Sequence, residues 1–126
     1  MATLTTVEGI QYNFDPGTVV AVSDHDPATK QAVTCVYGVT GNYLKVTESI
    51  QEFLSRLKIT ANFAPSTAPN GGAVWLNGSS IAAIRGRVAG DARGANAVVY
   101  TSSITQWLKD SVADAVTALN AHGGKL

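Results

Sequence analysis

Apolar residues recur along this chain at two different periods, and each change of period marks a change of element. Ile10-Gln11-Tyr12-Asn13-Phe14 alternates apolar and polar, so residues 3–8 and 10–14 read as two strands meeting at Gly9. Asp15-Pro16-Gly17 predicts a turn, because proline presets φ and glycine takes the positive φ that follows. Thr18-Val19-Val20-Ala21-Val22 is a mostly β-branched run that predicts a buried strand. Ser23 to Pro27 breaks that strand and Ala32 to Tyr37 restarts the sheet, which turns at Gly38–Asn42 into Tyr43–Val46. From Thr47 the period lengthens. Ile50, Phe53, Leu54 and Leu57 are spaced by three and four, which predicts a helix of about ten residues capped by Thr47, with Glu48 in its first turn.

Residues 60–72 carry Pro65, Ser66, Pro69 and Gly71-Gly72, a composition that predicts a linker, with Ala61-Asn62-Phe63 as a candidate edge strand. Strands near 73–77 and 80–85, a loop rich in Gly and Arg, and a strand from Asn96 to Thr101 follow. Beyond Ile104 two readings compete. The apolar spacing 104, 107, 108, 112, 115, 116, 119 favours one continuous helix capped by Ser102 or Ser103; an internal repeat instead implies a short strand at Gln106-Trp107-Leu108 and a helix from about Asp110. Gly123-Gly124 ends the helix in both.

That repeat shows in blocks. Val36-Tyr37 recurs as Val99-Tyr100, Glu48-Ser49-Ile50 as Asp110-Ser111-Val112, and Val19–Val22 as Ile81–Ile84, at offsets of 62 or 63. Val7-Glu8-Gly9 matches Leu76-Asn77-Gly78 only at 69, which implies a seven-residue insertion near Tyr12–Gly17. The expected architecture is α+β: one compact domain over 1–126, made of two β-rich repeats (3–59 and 73–121). Each repeat is closed by a C-terminal amphipathic helix, and the two are arranged as a pseudo-twofold unit.

Composition narrows the function classes. With 126 residues, 45% of them hydrophobic, and zero formal net charge, the chain suits one folded domain and offers no global field for nucleic acid or membrane. The charge is unevenly distributed, at −2 over residues 1–60 and +2 over 61–126. Cys35 is the single cysteine, which excludes an intrachain disulfide and a thiolate metal cluster and fits a buried side chain. No signal-like or membrane-length apolar run is present, so the expectation is a soluble protein of a reducing bacterial cytoplasm.

The candidate chemistry lies in Ile84-Arg85-Gly86-Arg87-Val88-Ala89-Gly90-Asp91-Ala92-Arg93-Gly94. Glycines let a backbone approach a phosphate chain, and Arg85, Arg87 and Arg93 can grip phosphates with bidentate forks. Trp107, Tyr100 and Lys109 are weaker candidates for stacking and charge, and the pattern leaves the exposure of both Trp107 and Trp75 open. The competing reading is a solvated loop with both tryptophans in the core. Asp24-His25-Asp26 gives no complete metal sphere and reads as a capped turn before Pro27. Nucleophile elbows and Walker-type loops are absent, so no enzyme, metal or cofactor is expected.

Lys45-Val46-Thr47-Glu48-Ser49-Ile50, Leu108-Lys109-Asp110-Ser111-Val112 and Leu76-Asn77-Gly78 resemble stretches of the small flagellar FlbD-type proteins, each about half this length. The resemblance implies a compact β-rich module with a closing helix and carries no catalytic residue. In general character the chain also resembles small accessory proteins of bacterial viruses, some of which bind single-stranded DNA near a polymerase. The leading expectation is a non-catalytic, homo-oligomeric protein that binds single-stranded DNA or RNA, with a polymerase or other protein as a possible partner. The alternative is a protein-interaction or assembly module.

Overall fold

The computed structural model describes residues 2–126, and its elements form an α+β fold of ten antiparallel strands and two helices. β1 (Ala2–Thr5) and β2 (Gln11–Phe14) form a hairpin; β3 (Ala21–His25), β4 (Ala32–Tyr37) and β5 (Leu44–Val46) follow, then α1 (Ile50–Leu57). β6 (Phe63–Thr67) and β7 (Ala73–Asn77) form a second hairpin, followed by β8 (Ile81–Gly86), β9 (Ala97–Thr101), β10 (Thr105–Leu108) and α2 (Val112–Ala121).

Three sheets result: β1-β2, β5-β4-β3-β7-β6 and β10-β9-β8. Short links join them in series. Thr6 bridges to Val46, and the Val7 N–H donates to the Lys45 carbonyl at 2.9 Å, attaching β1 to β5. The Lys109 N–H donates to the Thr67 carbonyl at 2.8 Å, attaching β6 beside β10. At the centre β3 meets β7 in the register Ala21↔Leu76, Val22↔Trp75, Ser23↔Val74.

Two apolar cores sit under these sheets. One, beneath α1, is built on large side chains, including Leu4, Phe14, Phe53, Leu54 and Phe63. The other, beneath α2, is rich in alanine, with Ala64, Ala68, Ala97 and Ala115 beside Leu76, Leu108 and Leu119. Small residues let α2 approach its sheet closely, and a Cβ on Gly78 would lie 2.6 Å from the Leu119 carbonyl oxygen.

Several expectations change. Residues 104–121 are not one helix: Thr105–Leu108 pairs with Tyr100–Ala97, and α2 begins after Ser111, whose hydroxyl accepts the Asp114 N–H at 3.1 Å. Ile104, Trp107 and Leu108 match helical spacing, but the strand pairing sends Trp107 outward and Leu108 inward. The 60–72 segment is no linker, because Phe63–Thr67 pairs along its whole length with β7. Pro65 is accommodated because β6 is the outer strand of the five-stranded sheet and meets β10 only at its far end, near Thr67, so the missing N–H costs no ladder bond. The cap of α1 is Ser49 rather than Thr47. Ser49 and Glu52 form a reciprocal capping box, with bonds of 3.1 and 2.9 Å.

β3 starts later than expected and runs through Ser23 to His25 before Asp26 ends it. Tyr12–Gly17 is no insertion. It is β2 and its turn, in which Asp15 accepts the Gly17 N–H as Asn77 accepts the Ser79 N–H after β7. Val7–Gly9 instead belongs to the β1–β2 turn and has no structural correspondence with Leu76–Gly78. No helix among the described residues is long and apolar enough to cross a membrane.

Candidate nucleic-acid interface

The loop between β8 and β9 is held shut by one carboxylate. Asp91 accepts both guanidinium arms of Arg85 at 2.8 and 3.0 Å, and also the Val88 N–H at 2.9 Å. The third face of that guanidinium is used too: Arg85 Nε donates to the Tyr100 hydroxyl at 2.8 Å. The Arg85 fork beside Asp91, helped by the Val88 N–H, holds this carboxyl well below the usual carboxylate range. Arg87 donates from Nη1 to the Ala92 and Ala95 carbonyls at 2.8 and 3.0 Å, closing the loop's far end. Arg85, Tyr100 and much of Arg87 thus shape the loop, and their hydrogen-bonding capacity is directed inward.

Arg93 is different. It is exposed and makes no hydrogen bond or ion pair within the chain among the described residues. It stands at a cleft of about 500 Å³ together with Trp107, Lys30, His25, Pro27 and Pro69. Trp107 is 42% exposed, which a tryptophan serving only as core would not be. Thr105, Trp107 and Lys109 alternate along the outer face of β10 and its end, all exposed. An indole that shares the cleft with Arg93 and Lys30, with Lys109 two residues further along the chain, combines a stacking surface with cations. Trp75, by contrast, is half-buried against the α1 core.

The opposite wall of the cleft comes from the β3–β4 loop, which nothing in the local sequence marks as part of this site. Asp26 organises that loop. It is 1% exposed, accepts the Tyr43 hydroxyl at 2.7 Å and the Ala28 N–H at 2.8 Å, and pairs with Lys45 Nζ at 3.0 Å. These donors, the Tyr43 hydroxyl first, hold Asp26 well below the usual carboxylate range, and the accepting Asp26 carboxylate in turn pushes Tyr43 up to about 12. Asp24 Oδ1 meets His25 Nδ1 and accepts the Ala73 N–H, each at 3.0 Å, docking this loop on the β6–β7 turn. Lys30, at φ 64°, donates from Nζ to the Pro27 carbonyl at 3.0 Å and stays exposed.

A second hollow, of about 510 Å³, lies beside Asp24, Glu48 and Glu52, and its carboxylates disfavour a phosphate backbone. Among the described residues no three His, Cys, Asp or Glu side chains group to hold a metal. Cys35 is buried, and that burial raises its thiol to about 11, so it stays protonated at neutral pH. Protein-family models, curated proteins and solved structures return no match to this chain.

Proposed function

We propose that this chain is a non-catalytic single-stranded nucleic-acid-binding protein whose contact surface is the Trp107 cleft. The observation that carries the reading is one exposed indole set among exposed cations. Trp107 stacks on an unpaired base, Arg93 and Lys109 meet the flanking phosphates, and Lys30 closes the far wall. Arg85, Arg87 and Tyr100 keep the loop in the shape that presents Arg93. The two strongly shifted carboxyls, Asp26 and Asp91, each tie their loop to a neighbouring strand through several hydrogen bonds, which suits staples rather than acid–base catalysts.

The scaffold is read as two degenerate copies of one module, and strand register is its support. Ala2↔Phe14 has its counterpart in Ala64↔Leu76, Val22↔Val36 in Ile84↔Val99, and Cys35↔Lys45 in Val98↔Trp107. Ser49 and Ser111 cap the two helices in equivalent places. The FlbD-like stretches span the end of β5 into α1 and the end of β10 into α2. The copies are related serially, since a twofold would pair β8 with β2 as it pairs β3 with β7.

A labelled oligonucleotide titrated by fluorescence anisotropy tests the function. With three cations on phosphates, log Kd should change by roughly 2 per decade of salt on a single strand, and duplex should bind more weakly. Trp107→Ala should weaken binding about 5- to 100-fold, the worth of one stacked base. No binding at low salt would remove this reading. It would leave the second one, an assembly module, which the exposed apolar strand β8 favours.

A further inference from the structure

Followed through their links, the strands run in one series, β2-β1-β5-β4-β3-β7-β6-β10-β9-β8, and each end has a neighbour on one side only. The middle of that series is the β3–β7 junction. If the chain is a duplication, as read above, β8 is the counterpart of β3 and β2 the counterpart of β7. The molecule then ends in free versions of both halves of its own central interface.

Burial supports the comparison. Val19, Val20, Ala21 and Val22 are all at most 6% exposed; β7 pairs beside Ala21 and Val22, and Val20 and Ala21 share the core beneath α2 with Ala64 and Leu76 of the β6–β7 hairpin. Their counterparts Ile81, Ala82, Ala83 and Ile84 are equally apolar, yet Ala82 and Ala83 are exposed and the isoleucines half-buried. At the other end Ile10, just before β2, is 53% exposed. Within 81–84 and 11–14 there is no charge or proline, the usual devices that keep an edge strand from pairing, and the neighbouring Arg85 is already held by Asp91 and Tyr100.

We propose that β8 of one copy pairs antiparallel with β2 of a second copy, in the register Ala83↔Phe14, Ile84↔Asn13, Arg85↔Tyr12. This transposes the β3–β7 register by 62 residues. The Asp15 N–H then donates to the Ala82 carbonyl, as the Asn77 N–H donates to the Val20 carbonyl at 2.9 Å. Ala82 and Ala83 enter the core beneath α1, in the role that Val20 and Ala21 play beneath α2. The contact joins unlike surfaces, so copies add head to tail and either close into a ring or extend. Each added copy brings another Trp107 cleft.

One bond separates the two interfaces. Asn77 Nδ2 also donates to the Val19 carbonyl at 3.0 Å, whereas the Asp15 carboxylate has no proton to offer the Ile81 carbonyl. The contact between copies is therefore weaker than the internal one and reversible, and Asp15→Asn should strengthen it.

Sedimentation of the full chain over a dilution series reads the prediction. Wild type should associate reversibly, and Asp15→Asn should lower the dissociation constant about fivefold, one added hydrogen bond. Ala82→Lys, at a residue exposed in the single copy, should give monomers. So should Asn13→Pro, which removes an N–H that points away from β1 by the same alternation that sends the Asn77 N–H to β3. Each of those variants keeps one intact edge, so an equimolar mixture should give one-to-one complexes and nothing larger.

Circular dichroism reads whether each variant is folded. Should a blocking variant unfold, the Asp15→Asn shift still decides. A strictly monomeric wild type, an Ala82→Lys chain that still assembles, or an Asp15→Asn chain that assembles no more tightly would each overturn the proposal. Anisotropy of the Ala82→Lys monomer with an oligonucleotide keeps this outcome separate from the nucleic-acid reading: the monomer should bind, and only the gain from neighbouring clefts should be lost.

Discussion

Read as copies of one module, the two halves of the molecule use matching strand pairings to different ends. The first half packs large side chains under α1, with Phe14 and Phe53 stacked at a centroid distance of 6.4 Å, and seals its β3–β4 loop with the buried Asp26. The second half packs alanines under α2 and ties its β8–β9 loop at the rim with Arg85 and Asp91, leaving Arg93 outside. Lys45, opposite Cys35, is spent on Asp26, while Trp107, at the corresponding place opposite Val98, faces solvent. The first half thus closes its loop over a buried carboxylate, whereas the second leaves Arg93 and Trp107 at the surface, where the proposed contact with nucleic acid would lie.

Substitutions should break that comparison in order of size. Phe53→Ala should cost about 3–5 kcal/mol in urea unfolding, since it empties a fully buried, stacked position. Ala115→Leu, the reverse change at the counterpart site, should cost about 1–3 kcal/mol through overpacking.

Acid comes next. Asp26 and Asp91 titrate lower in the folded chain than the unfolded value of about 3.9. Their stabilisation is therefore complete well above that value and drains away as pH falls through it toward the folded one. Thermal midpoints should drop steeply below about pH 4. Asp26→Asn should lower the midpoint at neutral pH and flatten that acid limb.

Smaller still, Ser49→Ala should cost about 1 kcal/mol, and more than Ser111→Ala. Ser49 sits in a two-way capping box with Glu52, whereas Ser111 accepts a single N–H. Trp107→Ala should leave stability within about 0.5 kcal/mol of wild type, because the side chain rests on the surface.

Local chemistry made part of this legible from residue types alone. Asp15-Pro16-Gly17 turns where its sequence places a turn, although as a 3₁₀ turn in which Gly17 does not take the expected positive φ; β4 and β9 read as apolar runs, and the helix faces at Ile50, Phe53 and Leu54 follow the helical period. The errors arose where partners decide. Thr105–Leu108 is a strand because β9 supplies its hydrogen bonds, although its apolar spacing suits a helix. Phe63–Thr67 hides behind two flanking loop signals and Pro65, because only an edge position tolerates that proline.

At the cleft the same division holds. Arg93 and Trp107 stand out by type, and Arg85 and Arg87 do too, but the carboxylate and carbonyls that engage those two lie in the folded loop. Lys30 and His25 reach the cleft from a distant segment through β3–β7 pairing and the Asp24–Ala73 contact, which no local pattern encodes.

The most direct measurement follows the emission of Trp107 itself. In a Trp75→Phe variant, Trp107 is the sole tryptophan, and a single-stranded oligonucleotide is titrated at low and at physiological salt. The account predicts saturable quenching as the indole stacks on a base, with a midpoint that moves to higher concentration as salt rises. Oligonucleotide binding that leaves this emission unchanged would contradict the assignment of the cleft, and no binding at either salt would contradict the function.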